Sequence, residues 1–151
     1  LHSVLDYDSY STELFEGGVL QIGIANEGEA CFDLPESSPD FGKKIAAYYY
    51  WIYPGLMLNF YPWGLSVNVV SPISVDRTRI VYHGFVGEKS MLGKGAGGDL
   101  DKVEAEDQEI VEATQRGVSS KSYERGRYSP SKEKGVHHFH RILTNSSDND
   151  F

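Results

Sequence analysis

Ile45-Ala46-Ala47-Tyr48-Tyr49-Tyr50-Trp51-Ile52-Tyr53-Pro54-Gly55-Leu56-Met57-Leu58-Asn59-Phe60-Tyr61-Pro62-Trp63-Gly64 holds two aromatic and aliphatic runs, each followed by a proline-containing turn. Such side chains suit a pleated, half-buried surface, so residues 45–53 and 56–61 are expected to be strands. Pro54-Gly55 and Pro62-Trp63-Gly64 supply the turn chemistry. Downstream, residues 65–71 alternate apolar and polar, as a half-buried strand should. Asp76 to Val86 extends the series, with Arg77, Arg79 and Val81 on one face and Thr78, Ile80 and Tyr82 on the other. Upstream, residues 18–25 alternate well enough for a strand, whereas residues 1–16 show no clean period. Residues 26–44 contain Gly28, Pro35, Pro39, Gly42 and many acids, and predict a loop. Turns this short join antiparallel strands, because parallel crossovers need long connections.

Beyond Val86 the pattern changes. Gly93 to Gly98 reads as a flexible glycine-rich entry to a helix capped by Asp99 and spanning 100–116, ending near Gly117. Residues 118–135 read as an ordered loop, Val136 to Leu143 as a short helix or strand, and 144–151 as a frayed polar tail. Strands followed by a long helix indicate an α+β domain over 1–143, with 144–151 as its tail.

The 151 residues suit one core, and 40% hydrophobic with 24% charged residues is ordinary for a globular protein. A net charge of −8 argues against nucleic acid, which needs a concentrated basic face. No apolar run approaches the ~20 residues of a membrane helix. Cys31 is the single cysteine, which excludes an internal disulfide and any iron–sulfur site built on cysteines of this chain. It fits a reducing, cytoplasmic setting. The sequence opens at Leu1 with no Met and no signal peptide, and is read as a fragment whose N-terminus lies upstream.

One side chain carries the chemistry. On a helix advancing about 100° per residue, Leu100, Val103, Ile110, Val111 and Thr114 share a stripe. Asp107 sits inside it, Glu106 toward its edge, and Glu104, Gln108, Glu109, Glu112 and Arg116 beside or opposite it. A carboxylate buried there needs a cation, a hydrogen-bond cage or a metal. Periodicity alone leaves those alternatives open.

The run Glu106-Asp107-Gln108-Glu109-Ile110-Val111-Glu112-Ala113-Thr114-Gln115-Arg116-Gly117 resembles the C-terminal catalytic domain found in the large (α) chains of Rieske aromatic-ring-hydroxylating oxygenases. So do Gly126-Arg127-Tyr128-Ser129-Pro130, Glu133 and His137-His138-Phe139-His140-Arg141, and Asn59-Phe60-Tyr61-Pro62-Trp63 is similar to the matching sheet segment. The resemblance implies a helix-grip fold (START/Bet v 1-like), an antiparallel sheet against a long C-terminal helix, here N-terminally truncated. It implies a mononuclear Fe(II) held by two histidines and a carboxylate, with sites open for O2. Asp107 matches that carboxylate, and is the one metal and catalytic residue carried over; no residue is assigned to cofactor binding. Leu1 matches the Leu of the family's His-Pro-x-Leu segment, so His2 falls past the ligand position. A Rieske 2Fe-2S cluster would lie in a missing upstream domain. NAD(P)H would deliver electrons through a reductase, sometimes with a ferredoxin, to a homotrimeric parent acting on an aromatic or quaternary-amine substrate. The isolated fragment is expected to be inactive.

Other candidates have plainer readings. His137, His138 and His140 could be metal ligands, but a C-terminal element with one packed His and others solvated or hydrogen-bonded is favoured. His83, beside Tyr82 and Phe85, is read as sheet packing. Gly93 to Gly98 lacks a phosphate-loop pattern, and no nucleophile elbow is present. A non-catalytic helix-grip carrier, with Asp107 paired to Arg77, Arg79 or another cation, is the alternative function.

Overall fold

The computed structural model describes residues 4–147. Leu1 and His2, and the end of the tail at 148–151, lie outside the described residues. Six strands form one antiparallel sheet in sequence order: β1 (Leu5–Phe15), β2 (Gly18–Ala25), β3 (Ile45–Ile52), β4 (Leu56–Tyr61), β5 (Gly64–Ser74) and β6 (Arg77–Val86). Helices α1 (Leu100–Val118) and α2 (Lys134–Ser147) follow. This is an α+β architecture, a curled antiparallel sheet with a C-terminal helix, consistent with a helix-grip fold.

The quoted stretch forms the middle hairpin, with Tyr49 opposite Asn59 and Trp51 opposite Met57. β1 escaped the sequence reading because it is an edge strand whose register shifts between Asp6 and Ser11; a bulge breaks the period of two. α1 runs through Gly117, at a tolerable cost of about 1 kcal/mol for an exposed helical glycine. Asp99 caps it as expected, its side chain accepting from Lys102 N. Val136 to Leu143 is helix, and that helix continues into the expected tail as far as Ser147.

Register sorts the sheet into two faces. Val19, Gln21, Tyr49, Trp51, Met57, Asn59, Ser66, Asn68 and Tyr82 share the inner face. Phe139 of α2 packs edge-on against Trp51, centroids 4.7 Å apart, and α2 lies over β1 and β2. The outer face carries Tyr48, covered by the 26–44 loop: Phe32 lies 5.6 Å from its ring, and its hydroxyl donates to Asp40 at 2.9 Å. On β5 the buried row is the polar one, Ser66 and Asn68. The apolar row, Leu65, Val67 and Val69, faces outward, with Leu65 and Val67 half-buried and Val69 exposed.

Gly93 to Gly98 is packed rather than flexible. Its 3-10 turn (Gly95–Gly97) buries Ala96 and Gly97 against Tyr61 and Trp63. Those rings stack 5.4 Å apart, and Trp63 Nε1 donates to Gly97 O at 3.1 Å. Ala25, Ala46 and Ala47 complete this cluster, with Cys31, Met91 and Leu100 at its margin. Small residues on the strands make room for the turn, and the turn fixes where α1 begins.

Candidate functional site

With α2 over β1–β2 and α1 reaching β6, the inner surface of β3–β4 forms a floor between two helical banks. Beside α2, a pocket of about 250 Å³ is lined by Val19, Gln21, Tyr49, Trp51, Met57 and Asn59 from the sheet and by Gly135, Val136 and Phe139 from the helix. No charged side chain is among them. Tyr49 and Trp51, from the aromatic run of β3, form one wall of this pocket.

The α1 bank is acidic. Glu104 accepts a hydrogen bond of 2.8 Å from Tyr82 Oη, and Leu100 and Val103 are half-buried beside it. A second cavity of about 430 Å³ lies here, lined by Ser66, Tyr82, Leu100, Asp101, Glu104 and Gln108 among others. Burial, the bond to Glu104 and that residue's charge push the Tyr82 hydroxyl up to about 12, with a smaller push from Asp107. Burial raises Tyr61 well above the ordinary phenol range, and the Glu104 charge adds to it. Burial likewise raises Tyr49, beside the Tyr61 ring.

Asp107 stands one turn after Glu104, within electrostatic reach of Tyr82 but exposed. The expectation that it sits in a buried apolar stripe is not met. Ile110 and Val111 are 63% and 67% exposed, and α1 buries no residue. Only the first turn and a half of α1 rests on the sheet, so the second half of the stripe has nothing to pack on among the described residues. The desolvation that would demand a partner is absent, and Asp107 forms no ion pair with Arg77, Arg79 or any other described cation. The sheet-facing acid is Glu104, which the helical projection places to the side. Its spacing of four from Leu100 and three from Asp107 is the signal that could have found it.

His138 Nε2 lies 2.8 Å from Phe15 O, tying α2 to β1. His140 Nδ1 hydrogen-bonds Tyr128 Oη, and His137 packs against the Tyr128 ring at 5.1 Å. His83 is exposed on the edge strand, not packed as expected. Among the described residues no three His, Cys, Asp or Glu side chains gather in metal-binding geometry. Asp107 can supply one ligand to an iron, but the described residues do not complete a two-histidine, one-carboxylate site.

The family profile described as ring hydroxylating alpha subunit (catalytic domain) matches residues 32–146. The chain belongs to this family. Among its relatives, the chloroplastic choline monooxygenase of Arabidopsis thaliana is 34% identical over 150 residues, covering 95% of this chain and 33% of the relative. That of Beta vulgaris is 32% identical over 142 residues, covering 90% of this chain and 30% of the relative. The chain thus spans about a third of the length of these relatives. The match to the ring-hydroxylating catalytic domain covers β3 to α2, and so includes the pocket floor, Glu104 and Asp107. No helix among the described residues is long and apolar enough to cross a membrane.

Proposed function

We propose that this catalytic domain serves an iron- and O2-dependent oxygenase that oxidises a small quaternary amine, with Asp107 as the carboxylate ligand of the iron. The two histidine ligands would come from outside the described residues, since no three described His, Cys, Asp or Glu side chains gather in metal-binding geometry. Within the same proposal, a Rieske 2Fe-2S cluster in another domain and a reductase or ferredoxin supply electrons from NAD(P)H. The working assembly is a trimer, and the setting is cytoplasmic, which suits the lone Cys31; the named relatives are chloroplastic. The family match favours an oxygenase over the non-catalytic carrier that shares this architecture.

The observation that carries the substrate class is the pocket. Trp51, Tyr49 and Phe139 offer aromatic faces, and no cationic side chain lines it. Aromatic faces attract a quaternary ammonium by about 0.5–2 kcal/mol each. The acids of the α1 bank, Asp101, Glu104 and Asp107, add a negative field of the complementary sign. What the relatives' names say of choline points the same way.

The residues here have definite tasks in that scheme: the inner face holds the organic part of the substrate, and Glu104 and Tyr82 fix the α1 bank relative to the floor. Iron, when bound, would supply the O2 chemistry. The test compares choline with 3,3-dimethylbutan-1-ol, its uncharged isostere, by tryptophan fluorescence and calorimetry. Choline is expected to bind at least tenfold more tightly, and Trp51→Leu to erase the difference. Equal affinity for the two would refute a quaternary-amine site and favour a flat, neutral ring.

A further inference from the structure

Resting on the quaternary-amine reading, we infer that Asn59 reads the other end of the substrate and selects a neutral hydroxyl there over a carboxylate. Asn59 is 7% exposed and lines the pocket floor, opposite Tyr49 on β3 and Ser66 on β5. Ser66 Oγ donates to Asn68 Oδ1 at 3.0 Å. Tyr49 Oη is sealed from solvent, and is the one sealed side-chain atom without a partner among the described residues. The Asn59 amide forms no hydrogen bond with the described residues either. It is not sealed, so it opens to solvent through the pocket it lines.

A nearly buried amide without a partner is costly, and a ligand that satisfies it recovers that cost. An amide presents an acceptor oxygen and a two-proton donor. A hydroxyl, itself donor and acceptor, satisfies either end. A carboxylate would need compensating cations, and the pocket has none. Trp51 and Phe139 stand on the same pocket and take the trimethylammonium end. The site therefore measures two features at once: a soft cation against aromatic walls, and a neutral hydroxyl at Asn59.

The test titrates the purified protein with choline, ethyltrimethylammonium (the same cation without the hydroxyl) and glycine betaine. Wild type is expected to bind choline about five- to tenfold more tightly than ethyltrimethylammonium, as one recovered hydrogen bond gives, and betaine at least tenfold more weakly than choline. In Asn59→Leu the choline advantage falls to one while the ethyltrimethylammonium affinity holds, which also reports that the variant is folded. A wild-type choline to ethyltrimethylammonium ratio near one, or an unchanged ratio in the variant, overturns the role of Asn59 and leaves the cation site standing. Failure of both cations to bind wild type overturns the cation site, and the role of Asn59 with it.

Discussion

Gly97→Ala is expected to destabilise the fold by about 2–4 kcal/mol. A Cβ at this position would lie 2.6 Å from Trp63 Nε1 and 2.7 Å from the Tyr61 ring. Neither ring can retreat, because the two stack on each other and are 4% and 5% exposed. Overpacking of this kind costs about 1–3 kcal/mol. Any shift that relieves it stretches the Trp63 to Gly97 hydrogen bond and strands a buried indole donor, for about 1–3 kcal/mol more. The smaller unfolded-state entropy of alanine returns about 0.5 kcal/mol. Gly97 is not in the left-handed region, so backbone strain plays no part. Urea unfolding followed by tryptophan fluorescence should show the midpoint falling by about 1–2 M for an m-value near 2 kcal/mol/M. Gly84→Ala, whose Cβ meets nothing within 4 Å, is the control and should move the midpoint little. A Gly97→Ala midpoint within experimental scatter of wild type would refute the idea that the 3-10 turn is a packed anchor for α1.

Tyr82 and Tyr48 are both pushed up to about 12 by burial and by the carboxylates they donate to, Glu104 and Asp40. A folded pKa above the unfolded value near 10 favours the protonated phenol, so this stabilisation is full below pH 10 and is lost as pH rises through 12. Absorbance at 295 nm should show both ionising late, and Glu104→Gln should bring Tyr82 earlier; an unmoved titration would disprove the Tyr82–Glu104 bond. Phe139→Ala removes the ring that meets Trp51 and should cost about 1–3 kcal/mol, with amide exchange rising in α2 but not in β3–β5; uniform protection would show that α2 is held otherwise. The 151-residue chain loaded with Fe(II) without oxygen and then washed should keep far less than one iron per chain, because no three-ligand cluster exists among the described residues. Stoichiometric iron would show that local histidines complete a site. Asp107→Asn should leave the unfolding midpoint within about 0.5 kcal/mol, since the side chain is exposed and unpaired.

The sheet was legible where local chemistry agreed with the fold. Tyr48 to Tyr53 and Leu56 to Tyr61 combine strand-favouring side chains with proline turns, and both strands and their pairing follow. β1 was not legible, because its bulge erased the alternation. The Gly93 to Gly98 segment was misleading for a related reason. Its glycines serve a close approach to Trp63 and Tyr61 made across 34 residues of sequence, which no local pattern records. The site was legible in its family, through the Glu106 to Gly117 run, and less so in its geometry. Helical periodicity assumes that an apolar stripe is covered along its whole length, and α1 rests on the sheet only from Leu100 to Glu104.

That failure separates two claims that the sequence had joined. Membership of the ring-hydroxylating family comes from the match over residues 32–146 and does not need Asp107 to be buried. A ligand role for Asp107, as proposed, does not need the side chain to be buried either: an exposed carboxylate avoids the desolvation cost that a buried one would carry. Burial is instead concentrated on the inner face, where β5 reverses the usual order and hides Ser66 and Asn68 while Val67 and Val69 look outward. A sheet that buries its polar row has to satisfy it. Ser66 Oγ meets the Asn68 oxygen, and on the pocket floor the proposed substrate hydroxyl would meet the Asn59 amide.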